Sequence, residues 1–328
     1  MRRRKLGDSE LELTPIGFGA WAIGGGDWAF GWGAQDDNQS VAAILRALEL
    51  GINWIDTAAV YGLGHSEKVV ARALAEYGHR HEVIVATKCG LRWGKNRNIR
   101  PTLKAESVRQ EVEESLRRLK VEVIDLYQIH WPNPDPQIEE GWGMMPRLVK
   151  EGKIRYAGVS NFSGEQMARA EAIFPVTSLQ PPFSMVERSA EVDALPYCRE
   201  HDVGVVAYSP MQAGLLTGAF SAERLAQLEP GDWRRGSPAF EEPCFSKILE
   251  LVRRLQPLAR GWGYTMAQLA LAWVLAQPGL TSAIVGGRNP GQVEETARAG
   301  AWELEAEQLE QVDKILAEVA VPNPKPLH

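Results

Sequence analysis

Val83-Ile84-Val85-Ala86-Thr87-Lys88 is a short apolar run that stops on a charged residue. Seven other stretches have the same form: Pro15–Gly19, Ile52–Asp56, Ile124–His130, Ile154–Ser160, Val176–Gln180, Val203–Ser209 and Thr281–Gly286. Runs of this length, bounded by polar residues or glycine, read as buried strands. Helical patterns carry the chain between them. Val108, Val112, Leu116 and Leu119 fall on one helix face, and Ala267–Leu275 is apolar nearly all round, as a helix wedged between a sheet and other helices is. Strands joined by helices pair in parallel, and their crossovers cover the sheet. Eight such repeats predict an α/β fold, a closed (β/α)₈ TIM barrel, formed as one domain over residues 1–328.

Three segments fall outside the repeat. Lys5–Thr14 places a Gly7-Asp8-Ser9 turn between β-like arms, which predicts a β-hairpin closing the barrel's bottom. Met211–Phe245 is long and rich in Gly, Pro and Trp, the character of a functional loop at the barrel's top. An extra helix follows the eighth unit, with Leu309, Val312, Ile315, Leu316 and Val319 on one face, and Pro322, Pro324 and Pro326 predict a frayed tail.

Composition narrows the function. The 328 residues carry 36 basic and 42 acidic side chains, a net charge of −6, with a mean hydropathy of −0.24. That balance argues against a nucleic-acid binder, which needs cations to displace counterions. Arg2-Arg3-Arg4-Lys5 leads into Leu6-Gly7-Asp8 and not into an apolar stretch, so it does not read as a secretory signal, and no segment reads as a membrane span. Cys89, Cys198 and Cys244 are odd in number and far apart, as expected for thiols in a reducing cytoplasm.

Active sites of such barrels lie at the carboxyl ends of the strands. Those ends carry Asp56 with Tyr61 just beyond it, Lys88, His130, Ser160-Asn161, Gln180, Tyr208-Ser209 and Gly286-Gly287-Arg288. A lysine after a strand usually faces solvent, and a lone histidine is usually structural. Four such groups on consecutive strand ends argue instead for chemistry. Lys88 needs a buried partner, and Asp56 is the nearest carboxylate. A neighbouring ammonium is expected to favour the phenolate of Tyr61, lowering its pKa and making it a proton donor near neutral pH. His130 adds a group able to orient a carbonyl oxygen.

These stretches resemble the aldo-keto reductase family over nearly the whole chain. The resemblance is carried by Gly17-Phe18-Gly19-Ala20-Trp21, Ile55-Asp56-Thr57-Ala58 with Tyr61-Gly62 and Ser66-Glu67, and Ala86-Thr87-Lys88. Asp125-Leu126-Tyr127-Gln128-Ile129-His130-Trp131-Pro132, Gly152-Lys153-Ile154-Arg155 and Gly158-Val159-Ser160-Asn161-Phe162 continue it. Gln180-Pro181-Pro182, Tyr208-Ser209-Pro210, Gly214-Leu215-Leu216-Thr217-Gly218 and Gly286-Gly287-Arg288-Asn289-Pro290-Gly291-Gln292 complete it. The wording of the motifs is most similar to a bacterial branch of the family.

The resemblance implies NADPH-dependent reduction of aldehydes and ketones, with Asp56, Tyr61, Lys88 and His130 as the catalytic tetrad. It implies that NADP(H) lies across the barrel mouth, touching Ala20, Trp21 and Asp56. Ser160, Asn161 and Gln180 would hold the carboxamide, and Tyr208 would stack on the nicotinamide. The backbone from Ser209 and Pro210 through Gly214 and Leu215 to Thr217 would wrap the pyrophosphate, glycines allowing close approach. At the adenosine end Gly286, Gly287 and Arg288 lead into a helix start suited to a 2′-phosphate, with Gln292 and Glu295 toward ribose and adenine. Here the chain departs from the family pattern: Val285 replaces a common proline, and Thr296 stands where asparagine is frequent.

Trp21, Trp28, Trp32, Trp93 and Trp131 sit in or beside loops after strand ends. They predict an apolar pocket, with Trp21 and Trp131 as substrate contacts, whereas Trp54, Trp142, Trp273 and Trp302 read as packing. The expected partner is a neutral small-molecule carbonyl. A metal-dependent hydrolase is disfavoured, since of six histidines only His130 ends a strand. The alternative left by the resemblance is a cofactor-sensing regulatory subunit of a channel-like assembly with little turnover.

Overall fold

The structure, a computed structural model, describes residues 1–26, 28–229 and 232–324. All eight expected runs form strands of one closed barrel. With the two strands of the amino-terminal hairpin as β1 (Arg4–Lys5) and β2 (Glu12–Leu13), the barrel opens with β3 (Ile16–Gly19), β4 (Trp54–Asp56) and β5 (Ile84–Cys89). A second hairpin, β6 (Leu91–Trp93) and β7 (Ile99–Pro101), follows directly and pairs only with itself. The barrel resumes with β8 (Ile124–Ile129), β9 (Ile154–Ser160), β10 (Ser178–Gln180), β11 (Gly204–Ala207) and β12 (Leu280–Gly286). Every barrel pairing is parallel, and β12 returns to β3 to close it.

The crossover helices follow the apolar spacing. Ala105–Leu119 buries Val108, Val112 and Leu119, and Met266–Ala276 buries all its residues from Met266 to Leu275. A capping box fixes the start of the latter: Thr265 accepts from Gln268 N, and Gln268 Oε1 accepts from Thr265 N. The carboxy-terminal helix Ala306–Val319 buries Val312 and Val319 and rests Leu309, Ile315 and Leu316 against the core.

The barrel's bottom is filled from within. Leu6, Leu11 and Leu13 of the hairpin pack against Trp54, Ala86, Leu126, Val206 and Ile284. Trp54 is wholly buried there, donating to Thr14 O at 3.2 Å and Ser282 Oγ at 3.1 Å. Gly17 makes room for it, since a Cβ on Gly17 would come within 2.0 Å of the indole. Trp142, Trp273 and Trp302 are also buried, as expected.

The tail differs from expectation. Pro322 O accepts from Cys244 Sγ, Asn323 Oδ1 accepts from Arg188 N, and Pro324 is buried, so the chain is docked as far as residue 324. Unpaired carbonyls after the last helix find donors on the neighbouring surface, which fraying would forgo. Pro326 lies outside the described residues, as do Pro230 and Gly231 of the long loop.

Candidate active site

Asp56 ends β4 with its side chain inside the barrel mouth. The chain then turns back through Ala58–Gly64 and presents Tyr61. Two contacts fix this turn: Thr57 and Ser66 share a hydroxyl hydrogen bond at 2.9 Å, and Ser66 Oγ donates to Ala20 O at 2.8 Å. Gly62 is held at φ +60, where a Cβ would meet Gly24 O at 2.2 Å, so only glycine lets this turn lie against the one after β3.

Lys88 reaches up from β5. Its Nζ donates to Asp56 Oδ2 at 2.6 Å and Thr57 O at 3.0 Å, and lies 3.5 Å from Tyr61 Oη. The other carboxylate oxygen of Asp56 accepts from Gln180 Nε2 at 2.9 Å. Asp56 and Lys88 are almost wholly buried, so the ion pair sits where each charge would be costly without the other. The His130 ring stands edge-on to the Tyr61 ring, with centroids 5.7 Å apart, and Trp131 stacks on it. The structure therefore brings Asp56, Tyr61, Lys88 and His130 into one cluster at the strands' carboxyl end.

The acidity of Tyr61 corrects the sequence reading. Burial, then the charge of Asp56, then Tyr208 raise its pKa well above 10.0. The expected acidification by Lys88 fails because the ammonium is already matched by Asp56, and because burial penalises phenolate. Tyr61 thus holds its proton at neutral pH. Burial also lowers the pKa of Lys88, against the pull of Asp56, and burial followed by Lys88 pushes that of His130 well below 6.5. His130 is a neutral imidazole that can donate one N–H.

Around this cluster run the expected cofactor residues. Ser160 Oγ donates to Gln180 O at 2.8 Å, and Asn161, at φ +64, donates to His130 O and accepts from Tyr208 Oη, both at 3.0 Å. Ser209 has positive φ, as do Gln212, Ala213 and Gly214 in the compact turn Gln212–Thr217. Tight turns with left-handed backbone of this kind can form concave groups of N–H donors. An added Cβ at Gly214 meets nothing within 4 Å, and one at Gly286 approaches only Gly19 O, at 3.7 Å. The mouth thus offers amide donors and acceptors, a half-buried tyrosine ring and two bare backbone stretches, a set that fits a nicotinamide dinucleotide. Arg288 precedes the helix Pro290–Ala297, whose start is capped by Asn289, and Gln292 Oε1 accepts from Arg288 N. Glu295 is exposed on the same helix.

An aromatic wall covers Tyr61. Trp21 lies 6.4 Å from its ring and Trp28 6.0 Å away, while Trp32 meets Trp21 edge to face at 5.4 Å. Trp233, which the sequence reading did not single out, comes from the long loop and stacks on Trp21 at 5.2 Å. Its place could be found only from the loop's path, although a tryptophan in a long loop at the barrel's top was a usable signal. The indole N–H groups of Trp32 and Trp233 are buried and have no acceptor among the described residues. Trp93 lies apart in β6 under the guanidinium of Arg118. Arg234 covers Trp32 but is held by both carboxylate oxygens of Asp232, leaving the wall without a net positive charge from that pair. Among the described residues no group of three or more His, Cys, Asp or Glu could hold a metal ion, and no helix is long and apolar enough to cross a membrane.

The profile of the Aldo/keto reductase family matches residues 15–317. The aldo-keto reductase YhdN of Bacillus subtilis is 41% identical over 317 residues, 96% of this chain and 94% of its own. An NADH-specific methylglyoxal reductase of Escherichia coli is 35% identical over 312 residues, covering 91% of this chain and 93% of its own. The solved glycerol dehydrogenase AKR11B4 of Gluconobacter oxydans superposes with a TM-score of 0.88 at 41% identity, covering 99% of this chain and 98% of that one.

Proposed function

From the premise that the chain belongs to the aldo/keto reductase family, and is thus an NAD(P)H-dependent oxidoreductase acting on small-molecule carbonyls, we propose that residues 1–328 act as one cytoplasmic domain reducing aldehydes and ketones with NADPH. The observation that carries this reading is Lys88 Nζ lying between Asp56 Oδ2 and Tyr61 Oη, with His130 against the same phenol. The relatives described above are reductases and a dehydrogenase, which lends no support to a channel-regulatory role.

Tyr61 gives its proton to the carbonyl oxygen as negative charge develops there. The phenolate left behind faces Lys88, whose ammonium offsets part of the burial penalty at that moment. Asp56 keeps Lys88 charged and aimed, and Gln180 holds the second oxygen of Asp56. Neutral His130 donates an N–H to the same carbonyl oxygen and fixes the face of the substrate. When bound beside these groups, a reduced nicotinamide would supply the hydride for the carbonyl carbon. Tyr61 recovers its proton from solvent, so the balance is one hydride and one proton per alcohol formed.

Ala20, Trp21, Ser160, Asn161, Gln180 and Tyr208 would hold the nicotinamide end, and Ser209, Pro210, Gly214 and Leu215 the pyrophosphate. Gly286, Gly287, Arg288, Gln292 and Glu295 would take the adenosine. The preference for NADPH rests on Arg288, a planar cation at a helix start, although an NADH-specific relative exists at 35% identity. Trp21 and Trp131 would bound the substrate. The test is absorbance in the nicotinamide band while a panel of aldehydes is offered with either cofactor. Faster consumption of NADPH supports the proposal, and no consumption with any aldehyde overturns it.

A further inference from the structure

Arg288 and the segment Trp32–Gln35 hold each other across the mouth. Arg288 Nε donates to Gln35 Oε1 at 2.6 Å, and Nη2 donates to Ala34 O at 2.5 Å. These two donors form the edge with which a guanidinium grips paired oxygens of a phosphate, and here both serve the chain itself. Nη1 reaches Trp32 O at 3.5 Å. Gln35 closes the ring from its other end, its Nε2 donating to Arg288 O and to Ser40 Oγ, both at 3.0 Å. Turning that amide over would set donors against the guanidinium, so its orientation is fixed by its partners. Trp32, at the far end of the segment, meets Trp21 and Trp233 edge to face. The latch therefore joins the start of the helix Pro290–Ala297 to the aromatic wall over Tyr61.

We propose that Gln35 is a cofactor-specificity residue, competing with a 2′-phosphate for Arg288 and so limiting how strongly the site prefers a phosphorylated adenosine. This rests on the reading of that end as the adenosine site. A phosphate dianion adds to the guanidinium's paired N–H groups a full opposite charge that a neutral amide oxygen lacks, so it displaces Gln35 and opens the latch. A free 2′-hydroxyl does not, and Arg288 stays with Trp32–Gln35. Part of the phosphate's binding is lost in breaking those contacts, and the Trp32 segment is released only by the phosphorylated ligand.

Calorimetric titration of the full chain with adenosine 2′,5′-bisphosphate and adenosine 5′-monophosphate tests this without turnover. Gln35→Ala should bind the bisphosphate roughly 5–10-fold tighter, the scale of one net hydrogen bond, and the monophosphate within about twofold of wild type. Gln35→Glu, which puts a carboxylate into the latch, should bind the bisphosphate more weakly. An unchanged preference in Gln35→Ala, or a weakened one, overturns the proposal. Amide hydrogen exchange over residues 32–36 should speed up with the bisphosphate alone, and equal exchange with both ligands also overturns it. Arg288→Ala separates the two readings. If it keeps the wild-type preference, or if wild type binds neither ligand, the adenosine assignment itself falls.

Discussion

The ammonium of Lys88 and the carboxylate of Asp56 meet at 2.6 Å with both side chains nearly sealed from water. Such a pair adds little net stability as a whole, but removing one member leaves the other charge stranded. Lys88→Met should therefore lose about 3–5 kcal/mol of stability and nearly all turnover, whereas Lys88→Met combined with Asp56→Asn should regain much of the stability and none of the activity. Urea unfolding of both variants checks this. Equal stability in the single and double variants would refute the account of the pair.

Tyr61→Phe removes the proton donor while leaving the ring in the wall with Trp21 and Trp28. Turnover should fall by orders of magnitude, about 10²-fold or more for a lost general acid. Nucleotide affinity should stay within about threefold, since a hydroxyl outside the nucleotide's contacts contributes little to uniform binding. Stopped-flow reduction and a binding titration separate the two, and unimpaired turnover would exclude Tyr61 as the acid.

Glu111 is buried beside the end of β5, accepting from Gly90 N at 2.9 Å and Ser107 Oγ at 3.0 Å. Burial lifts its carboxyl from 4.5 to about 7, against the hydrogen bonds from Gly90 and Ser107 and the pull of Arg92. An acid whose pKa is higher when folded keeps its proton better in the folded chain. No stability is lost below the unfolded value, and it is lost progressively as pH rises through the folded one. At about 1.4 kcal/mol per unit, the loss approaches about 3 kcal/mol by pH 8. Glu111→Gln should thus gain on wild type as pH rises from about 5 to about 8. Denaturant midpoints at both ends of that range decide the matter, and a constant gap would count against a buried neutral carboxyl.

Gly17→Ala places a methyl against the Trp54 indole, where an added Cβ falls within 2.0 Å of ring atoms. Overpacking of this kind costs about 1–3 kcal/mol or more. A lowered thermal midpoint, restored in part by Trp54→Phe, is the expected result. An unchanged midpoint would show that the floor can shift.

The barrel was legible because each strand is an apolar run with a polar terminus, so the eight runs and the tetrad positions could be read together. The hairpin β6–β7 was not, since Arg92 and Arg100 face each other in its register and neither strand joins the barrel. Distances were equally out of reach. The sequence puts Lys88 on the strand beside Asp56 but does not show that burial, and then the charge of Asp56, leave Tyr61 less acidic than a free phenol. Trp233 and the Gln35–Arg288 latch depend on loops that meet only after closure. The docking of Asn323 on Arg188 likewise joins residues whose spacing carries no local pattern.

The hairpin that stoppers the barrel has a consequence for how the protein is made. Arg4 donates to Leu275 O and Leu280 O, and Leu6, Leu11 and Leu13 sit against Val206 and Ile284. The hairpin therefore finds its seat only after β12 has been synthesised. Contacts so distant in sequence form slowly, and until they do the barrel's lower rim exposes apolar surface during its birth.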